Sequence, residues 1–403
     1  MRSERSIIFL VGAVQFVNIL DFMMVMPLGP DFARGLGIPT SVLGYIGGSY
    51  TLAAAVAGFA GSFFLDRFDR RKALAVAMTG LVIGTLAGGL AVGLRSLMAA
   101  RVIAGTFGGP ATSIALAIIA DVIPQERRGK AMGAVMGAFS VASVVGVPLS
   151  LRLSLYGGWS LPFFVVGGMG LVLVALAISM LPPLRIHLQV VRRPRSSWRA
   201  LGELLSRRIV LLSYTMTATV MMAGFILIPN LSAYIQYNLG FAREYIDVLY
   251  MAGGAASFFT MRLAGWTVDR YGSFRAAAGA CMAVVVLAYF WFLHFVPGTP
   301  IVLFFVGYMI ANSFRNVAHS TLTSKVPGPL ERARFMSIQS TVQHLASSAG
   351  AFLSARMLVE LPDHRLAGMD VVAVVSMTLT ALLPGLFWVV EGRVRLATLP
   401  RPA

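Results

Sequence analysis

The residues best suited to chemistry in this 403-residue chain are ionisable side chains inside apolar segments. Asp21 stands near the middle of the first segment, where a charge costs at least ~2.5 kcal/mol and is normally retained for function. Burial favours a neutral carboxyl group, as a reversible proton carrier requires. Gln15 and Asn18 lie on the same helical stripe, and we expect the three side chains to face a cavity where substrate binds. A structural hydrogen bond to a neighbouring helix is the alternative for Asp21.

Arg101 is the second charged side chain of this kind, a few residues inside a later apolar segment. Its guanidinium group stays charged in any surroundings. It could therefore bind an anionic substrate or stabilise a nearby carboxylate such as Asp21. Snorkelling of the side chain to the membrane interface is the alternative.

A third group of polar residues recurs at helical spacing in the tenth apolar segment: Asn312, Arg315, Asn316 and His319. The central parts of the seventh to twelfth segments contain no acidic residue. The counter-charge of a buried Arg315 must then come from Asp21, from a substrate anion or from backbone carbonyl groups. This asymmetry favours an anionic or weakly acidic substrate over a bulky cation.

Two further stripes carry hydrogen-bonding side chains, Asn230, Tyr234 and Tyr237 in one and Gln339 and Gln343 in the other, with His344 and Ser347 beside the second. Lining of a substrate cavity and hydrogen bonding between helices explain these stripes equally well. We assign Asn230, Tyr234, Asn312, Arg315, Asn316, Gln339 and Gln343 to substrate binding, together with Gln15 and Asn18. The single cysteine excludes an internal disulfide, and we expect no metal or other cofactor.

The composition indicates that a lipid bilayer surrounds these residues. Hydrophobic residues make up 57% of the chain and charged residues 12%, against about 45–50% and about 25% in soluble domains. Segments long enough to cross a membrane occur near 7–30, 41–65, 73–93, 97–119, 130–153, 161–182, 208–236, 245–268, 275–295, 299–322, 332–358 and 369–391. We therefore predict an all-α membrane protein of twelve helices. Glycine clusters at 44–61, 105–109 and 253–254 predict close helix packing.

The net charge of +17 follows the predicted loops. If the N-terminus is cytoplasmic, most of the 33 Lys and Arg residues fall in cytoplasmic loops and tails, as the positive-inside rule requires. We predict a multi-pass protein of a bacterial-type inner membrane with both termini in the cytoplasm. Membrane topology then accounts for the net positive charge, and we expect no nucleic-acid partner. The first apolar segment is long and polar enough to be a span rather than a cleaved signal peptide.

Two short strings repeat along the chain. Asp66 and Arg67 follow the second segment and Asp269 and Arg270 follow the eighth, and Pro124 to Lys130 is echoed by Pro329 to Arg334. We predict two related six-helix halves, 1–183 and 209–403, joined by a basic cytoplasmic linker at 184–208. Repeats of this kind place the substrate site between the halves near the midplane.

These strings resemble a known signature. The loop from Ser62 to Arg71 is similar to the motif Gly-x-x-x-Asp-Arg-x-Gly-Arg-Arg of the major facilitator superfamily, with Ser62 and Asp69 at the two glycine positions. Further similarities are Arg101, Gly105 and Gly109 in the fourth segment, Gly146 and Pro148 in the fifth, Gly158, Trp159 and Phe163 after it, and Asp21 with Pro27 to Pro30 in the first. Ser160 replaces an arginine of the family pattern. The similarity covers essentially the whole chain.

The resemblance implies roles for several of these residues. It favours proton coupling for Asp21 and Arg101, and the fifth segment resembles the antiporter motif of twelve-span proton-linked drug and sugar efflux proteins. It implies a latch of the outward-facing state formed by Asp66, Arg67, Arg70, Arg71, Asp269 and Arg270. A positive-inside anchor with a solvated carboxylate is the alternative for the latch. We expect Asp31, at the outer end of the first segment, to be a solvated loop residue.

The predicted function is that of a secondary transporter which exports a small organic molecule, such as a drug, sugar or organic anion, in exchange for protons. Proton-coupled uptake and a non-transporting receptor or assembly protein remain as alternatives. An enzyme is disfavoured because the sequence shows no nucleophile with its base and no nucleotide-binding loop. The expected partners are the substrate, protons and membrane lipids, and the resemblance implies a monomer.

Overall fold

The computed structural model describes residues 4–184, 198–328 and 331–398. These residues form long helices. In the N-terminal half the helices are α1 (Glu4–Val25), α2 (Gly29–Leu36), α3 (Leu43–Phe64), α4 (Arg70–Gly89), α5 (Leu94–Val122), α6 (Gln125–Met136), α7 (Ala138–Val141), α8 (Val147–Gly157) and α9 (Leu161–Met180). A π-helical turn, Ala142–Gly146, connects α7 to α8.

The second half repeats this order after a short helix, α10 (Trp198–Leu205). Its helices are α11 (Arg208–Phe225), α12 (Ile228–Ala233), α13 (Ile246–Tyr271), α14 (Ser273–Ala288), α15 (Ile301–Ser324), α16 (Arg332–Met357) and α17 (Met369–Thr398). π-helical turns extend α12 through Tyr234–Asn238 and α14 through Tyr289–Leu293. Strands β1 (Val359–Glu360) and β2 (Leu366–Ala367) pair antiparallel between α16 and α17. Most of the predicted linker at 184–208 lies outside the described residues.

Ten helical segments of the described chain are long and apolar enough to cross a membrane. Helices α13 and α16, of 26 residues each, are as long as these but more polar. Helix α16 buries Gln339, Ser347, Ser348 and Ser354 against other helices. These two helices complete the predicted twelve, and the predicted all-α membrane fold is confirmed.

Corresponding helices pack together in the two halves. In the N-terminal half α5 packs against α3 and α4, and α4 packs against α9. In the C-terminal half α15 packs against α13 and α14, and α14 packs against α17. The repeated strings of the sequence thus belong to a repeated arrangement of helices.

Glycine permits the closest approaches between helices. A Cβ atom on Gly105 would lie 2.2 Å from the carbonyl oxygen of Tyr50, and one on Gly254 would lie 2.7 Å from that of Ser143. Real Cβ atoms do not approach so closely. The structure agrees with the predicted close packing at these two glycines, whereas Gly58 has nothing within 4 Å of its missing Cβ.

The halves meet along α3 with α16 and along α13 with α8 and the turn Ala142–Gly146. We call the end of the bundle that holds the α4–α5 loop the distal end, and the end at which α1 begins and α17 ends the terminal end. At the distal end polar side chains join the halves: Ser232 donates to the carbonyl oxygen of Pro27 (2.8 Å), and Arg34 donates to Tyr237 (3.3 Å). The distal end is therefore closed by contacts between the halves.

Candidate functional site

Asp21 and Arg101 form a buried ion pair in the N-terminal half. They are 80 positions apart in sequence, and Arg101 Nη1 lies 3.0 Å from Asp21 Oδ2 and 3.2 Å from Oδ1. The exposed fractions of the two side chains are 0% for Asp21 and 1% for Arg101. Snorkelling of Arg101 to the interface does not occur in this structure, because its guanidinium group points inward to helix α1.

Neighbouring helices hold this pair in place. Thr85 of α4 donates a hydrogen bond to Asp21 Oδ1 (2.7 Å), and Arg101 Nη2 donates to the carbonyl oxygen of Gly84 (3.4 Å). The guanidinium carbon also lies 5.4 Å from the ring centre of Phe163. A buried charge pair needs such added hydrogen bonds. The sequence analysis missed Thr85, because α4 also contains Thr79 and nothing in the sequence distinguishes the two hydroxyl groups.

Gln15 and Asn18 lie beside the pair and bond to α5. Asn18 Nδ2 donates to Thr112 Oγ1 (2.7 Å) and to the carbonyl oxygen of Gly108 (2.9 Å). Gln15 Nε2 donates to the same hydroxyl group (3.4 Å), and its Oε1 is buried without a partner among the described residues. The amide of Asn18 thus connects α1 to α5.

The polar stripe of α15 divides into bonded and unbonded residues. Asn312 donates to the carbonyl oxygen of Tyr308 (2.8 Å), and His319 Nε2 lies 2.9 Å from Thr217 Oγ1. Asn316 is exposed. Arg315 is buried, and its Nε has no partner in the part of the chain that the structure describes. Asp21 is paired with Arg101 and so does not supply the counter-charge of Arg315.

The other two predicted stripes are partly engaged between helices. Asn230 Nδ2 donates to Ser354 Oγ (2.7 Å), and Tyr234 donates to the carbonyl oxygen of Trp291 (3.0 Å). Gln339 Nε2 donates to Thr323 Oγ1 (3.2 Å), whereas Gln343 is only half-buried. The acceptor oxygens of Asn230 and Gln339 are buried, and no described residue bonds to them.

At the terminal end, the first repeated string stabilises the start of α4. Asp69 accepts a hydrogen bond from the backbone N–H of Arg71 (2.9 Å), as an N-cap residue does. The aspartate that departs from the family motif therefore has a local structural role. Arg70 is buried and pairs with Asp121 of α5 (3.2 Å). The side chain of Asp66 lies outside the described part, and Arg67 is exposed.

The second string is arranged differently. Asp269 and Arg270 are both exposed, and the guanidinium carbon of Arg270 lies 5.4 Å from the ring centre of Trp266. The start of α14 is instead bonded by Glu391 of α17, which accepts a hydrogen bond from the backbone N–H of Phe274 (2.5 Å). The sequence analysis missed Glu391, because nothing near it in sequence links it to α14.

Gly146 and Pro148 lie where the π-helical turn passes into α8. Pro148 is the second residue of α8 and has no backbone N–H to donate to the π-helical turn that precedes it. A Cβ atom on Gly146 would lie 2.8 Å from Leu20 Cδ1. The motif therefore brings α8 close to α1, next to Asp21 in the sequence.

At the distal end the prediction for Asp31 is wrong. Asp31 is not solvated but forms a two-pronged ion pair with Arg243 of the other half, with Nε to Oδ1 at 2.7 Å and Nη2 to Oδ2 at 2.5 Å. Arg243 also donates to Ser154 Oγ (2.7 Å) and to the carbonyl oxygen of Leu151 (3.0 Å). The two residues are 212 positions apart, so no local pattern in the sequence reveals the pair.

Two more contacts join the halves at this end. Arg152 of α8 lies 3.5 Å from Asp247 of α13. Glu360 of β1 accepts hydrogen bonds from the backbone N–H and the hydroxyl group of Thr40 and lies 2.6 Å from His364 Nδ1. Partial burial alone would raise the pKa of Glu360, but the hydrogen bonds from His364 and Thr40 outweigh it and hold the pKa below its usual value.

Sequence comparison places the chain among transporters. A sequence model described as Major Facilitator Superfamily matches residues 11–351. A chloramphenicol resistance protein of Streptomyces lividans is 25% identical over 273 residues, which are 65% of this chain and 66% of that protein. The MFS-type transporter YtbD of Bacillus subtilis (strain 168), described as uncharacterized, is 24% identical over 62% of this chain and 60% of its own length. The matched regions thus span less than two thirds of these relatives.

Structural comparison agrees with this result. A bacterial homologue of the human lysosomal transporter Spinster, in an inward-facing and occupied conformation, has a TM-score of 0.79 at 16% identity, with 100% of both chains covered. A D-xylose-proton symporter has a TM-score of 0.76 at 17% identity, over 98% of this chain and 99% of that chain. With a family model that matches most of its length and a transporter fold of repeated helical halves, this chain belongs to the Major Facilitator Superfamily of membrane transporters rather than to a class of enzymes.

Proposed function

We propose that this protein exports a small organic molecule across a bacterial inner membrane in exchange for protons, and that Asp21 carries the proton. The observation that supports this most strongly is the sealed pair of Asp21 with Arg101. Protonation of Asp21 would remove the charge that holds Arg101, so proton binding would release the contact between α1 and α5. Such a contact has two states, as coupling by alternating access requires.

Closure of the distal end supports a rocking cycle. With the basic terminal end in the cytoplasm, the distal contacts face the outside, and the described state is one in which substrate cannot leave outward. Asp31, Arg243, Arg152 and Asp247 must separate when the cavity opens outward. We propose that the opposite latch, with Asp66 and the arginines that follow it, then holds the terminal end closed.

The name of the Streptomyces lividans relative supports export of a drug-like molecule. The similarity to a D-xylose-proton symporter supports uptake as a second candidate, because the same fold serves both directions. We propose a monomer surrounded by lipid, in which each half supplies polar groups to one central site.

The test is proton movement in proteoliposomes that contain the purified protein and a pH-sensitive dye. Pools of drugs, sugars and organic acids are added under an imposed pH gradient. Movement of substrate into the vesicles while protons leave them would establish antiport. Movement of substrate and protons in the same direction would establish symport. Asp21→Asn should abolish the proton flux, whereas the matched variant Asp363→Asn, in an exposed distal loop, should keep it. No flux with any pool, in protein shown to be folded, would contradict the proposal and favour a non-transporting role.

A further inference from the structure

Arg315 is a buried cation, and no described carboxylate lies within ion-pair distance of it. It lies in the middle of α15, with 3% of its surface exposed. Among the described residues it has no hydrogen-bond or ion-pair partner, and its Nε is fully sealed. An unpaired charge costs several kcal/mol in an apolar interior. A ligand with a negative charge would offset this cost.

The residues around Arg315 are neutral. Gly224 of α11 faces it, and a Cβ atom on this glycine would lie 3.7 Å from Arg315 Nη2. Tyr308 and Cys281 are among the groups close enough to act on its charge, and both are uncharged as a rule at pH 7. The carboxylates of the second half all lie in loops or toward helix ends: Glu203, Glu244, Asp247, Asp269, Glu331, Glu360, Asp363, Asp370 and Glu391.

The first half shows what is missing. There Arg101, on the fourth long helix of its half, is neutralised by Asp21 on the first. In the second half Arg315 also stands on the fourth long helix, and the residue that faces it from the first, Gly224, has no side chain. The N-terminal half thus neutralises its buried arginine with its own aspartate, whereas the buried arginine of the C-terminal half has no such partner among the described residues.

We propose that Arg315 binds a carboxylate of the transported molecule, so that the substrate is an organic anion. This inference rests on the proposed transport function and names its substrate class. A guanidinium group binds a carboxylate through two parallel hydrogen bonds, and the planar fork of Arg315 is free to form them. The substrate then provides the charge in the second half that Asp21 provides in the first.

The decisive variant is Gly224→Asp. It places a carboxylate within reach of Arg315 and makes the pair internal, as in the first half. Gly224→Asn, which has the same size and no charge, is the matched control. Without ligand, Gly224→Asp should melt at a higher temperature than Gly224→Asn, because it neutralises a buried charge. A lower melting temperature for Gly224→Asp would show that Arg315 is already neutralised and would overturn the inference.

A second experiment tests ligand binding through the melting temperature of the purified protein. The compounds are benzoate, salicylate and citrate, the neutral amide of each as its control, and sodium chloride. We expect at least one carboxylate, but not its amide, to stabilise the wild type and Gly224→Asn. Its affinity should fall at least about tenfold in Gly224→Asp and in Arg315→Gln, since a charge-assisted contact is lost. Stabilisation by chloride alone, or by no carboxylate in the panel, would contradict the proposal.

The transport assay separates this inference from the proposed function. A neutral or cationic substrate that drives proton flux equally in the wild type and Gly224→Asp would refute the organic anion and leave proton-coupled transport intact. Absence of flux in the wild type would instead refute the proposed function.

Discussion

At the scale of single residues, the pair of Asp21 and Arg101 combines a structural requirement with the role in coupling proposed above. Both side chains are almost completely buried, so each depends on the other for neutralisation. Removing one partner leaves an uncompensated charge in the apolar interior, whereas removing both charges leaves neutral groups that can still form hydrogen bonds. The two kinds of variant therefore separate stability from coupling.

We expect Asp21→Asn to destabilise the protein by about 3 kcal/mol, because Arg101 then lacks a counter-charge. The double variant Asp21→Asn with Arg101→Gln should recover most of this loss. The measurement is the free energy of unfolding in detergent micelles by denaturant titration, with Asp363→Asn as the control. Equal stability of Asp21→Asn and the wild type would show that the pair does not stabilise the fold.

Glu360 gives a prediction about pH. Its pKa is lowered in the closed distal end, so its ionised form stabilises that closure at every pH above the usual value of about 4.3. The contribution disappears as the pH falls through the lowered pKa. Distances between nitroxide labels at Val92 and Val296, which are 88% and 64% exposed in distal loops of the two halves, should stay constant from pH 7 to 5. They should lengthen only under more acidic conditions.

The control for this prediction is Glu360→Gln, which cannot ionise. It should weaken the closure at neutral pH and remove the dependence on pH that Glu360 causes. Lengthening of the wild-type distance between pH 7 and 5 would mean that another group controls the distal end.

At the scale of elements, the glycines decide how closely helices approach. Gly105 of α5 meets the backbone of α3 at Tyr50, which cannot move aside as a flexible side chain can. Gly105→Ala should therefore cost about 1–3 kcal/mol by overpacking. Gly58→Ala on α3, where nothing lies within 4 Å, should cost less than this or stabilise the helix. Denaturant titration of both variants measures the difference, and equal stabilities would contradict the packing account.

The helices themselves could be predicted from the sequence, because twenty apolar residues and alternating basic loops are local signals. The contact between Asp21 and Arg101 could be predicted for a different reason: few charged residues occur inside apolar segments, so few pairings are possible. The pair of Asp31 with Arg243 could not be predicted. Both residues lie at segment ends, where charged residues are ordinary, and only the folded arrangement of two halves shows that they meet.

Departures from a motif were equally hard to interpret from sequence. Asp69 replaces a glycine of the family signature, and the structure shows that its side chain caps α4. Aspartate is a favoured N-cap residue, so the sequence did indicate a cap. Comparison with the motif identified Asp69 only as a departure from glycine. Arg315 shows the reverse case, because the missing acid was already visible in the sequence, and the structure added that the facing residue, Gly224, has no side chain.

At the scale of the whole molecule, the distal closure is one of the two arrangements of the halves in the proposed transport cycle. Arg243 bridges Asp31, Ser154 and Leu151 of the other half, and the ion-paired side chains are only 10% and 13% exposed. Truncating one partner of such a pair costs about 2 kcal/mol or more. Arg243→Gln should thus raise the ratio of distal-open to distal-closed molecules at least about tenfold.

The distribution of distances between labels at Val92 and Val296 should then show a larger fraction of molecules at the longer distance. Arg365→Gln is the matched control, because Arg365 is exposed and pairs with Asp363 in its own loop. A distance distribution of Arg243→Gln identical to that of the control would show that the pair does not hold the halves together.

The measurement that tests the central claim most directly compares two modes of transport by Asp21→Asn in proteoliposomes loaded with labelled substrate. One mode is exchange of substrate across the membrane without a proton gradient, and the other is accumulation driven by an imposed pH gradient. If Asp21 carries the proton, the variant should keep exchange and lose gradient-driven accumulation, while Asp363→Asn keeps both. Accumulation by Asp21→Asn at the wild-type level would contradict the account.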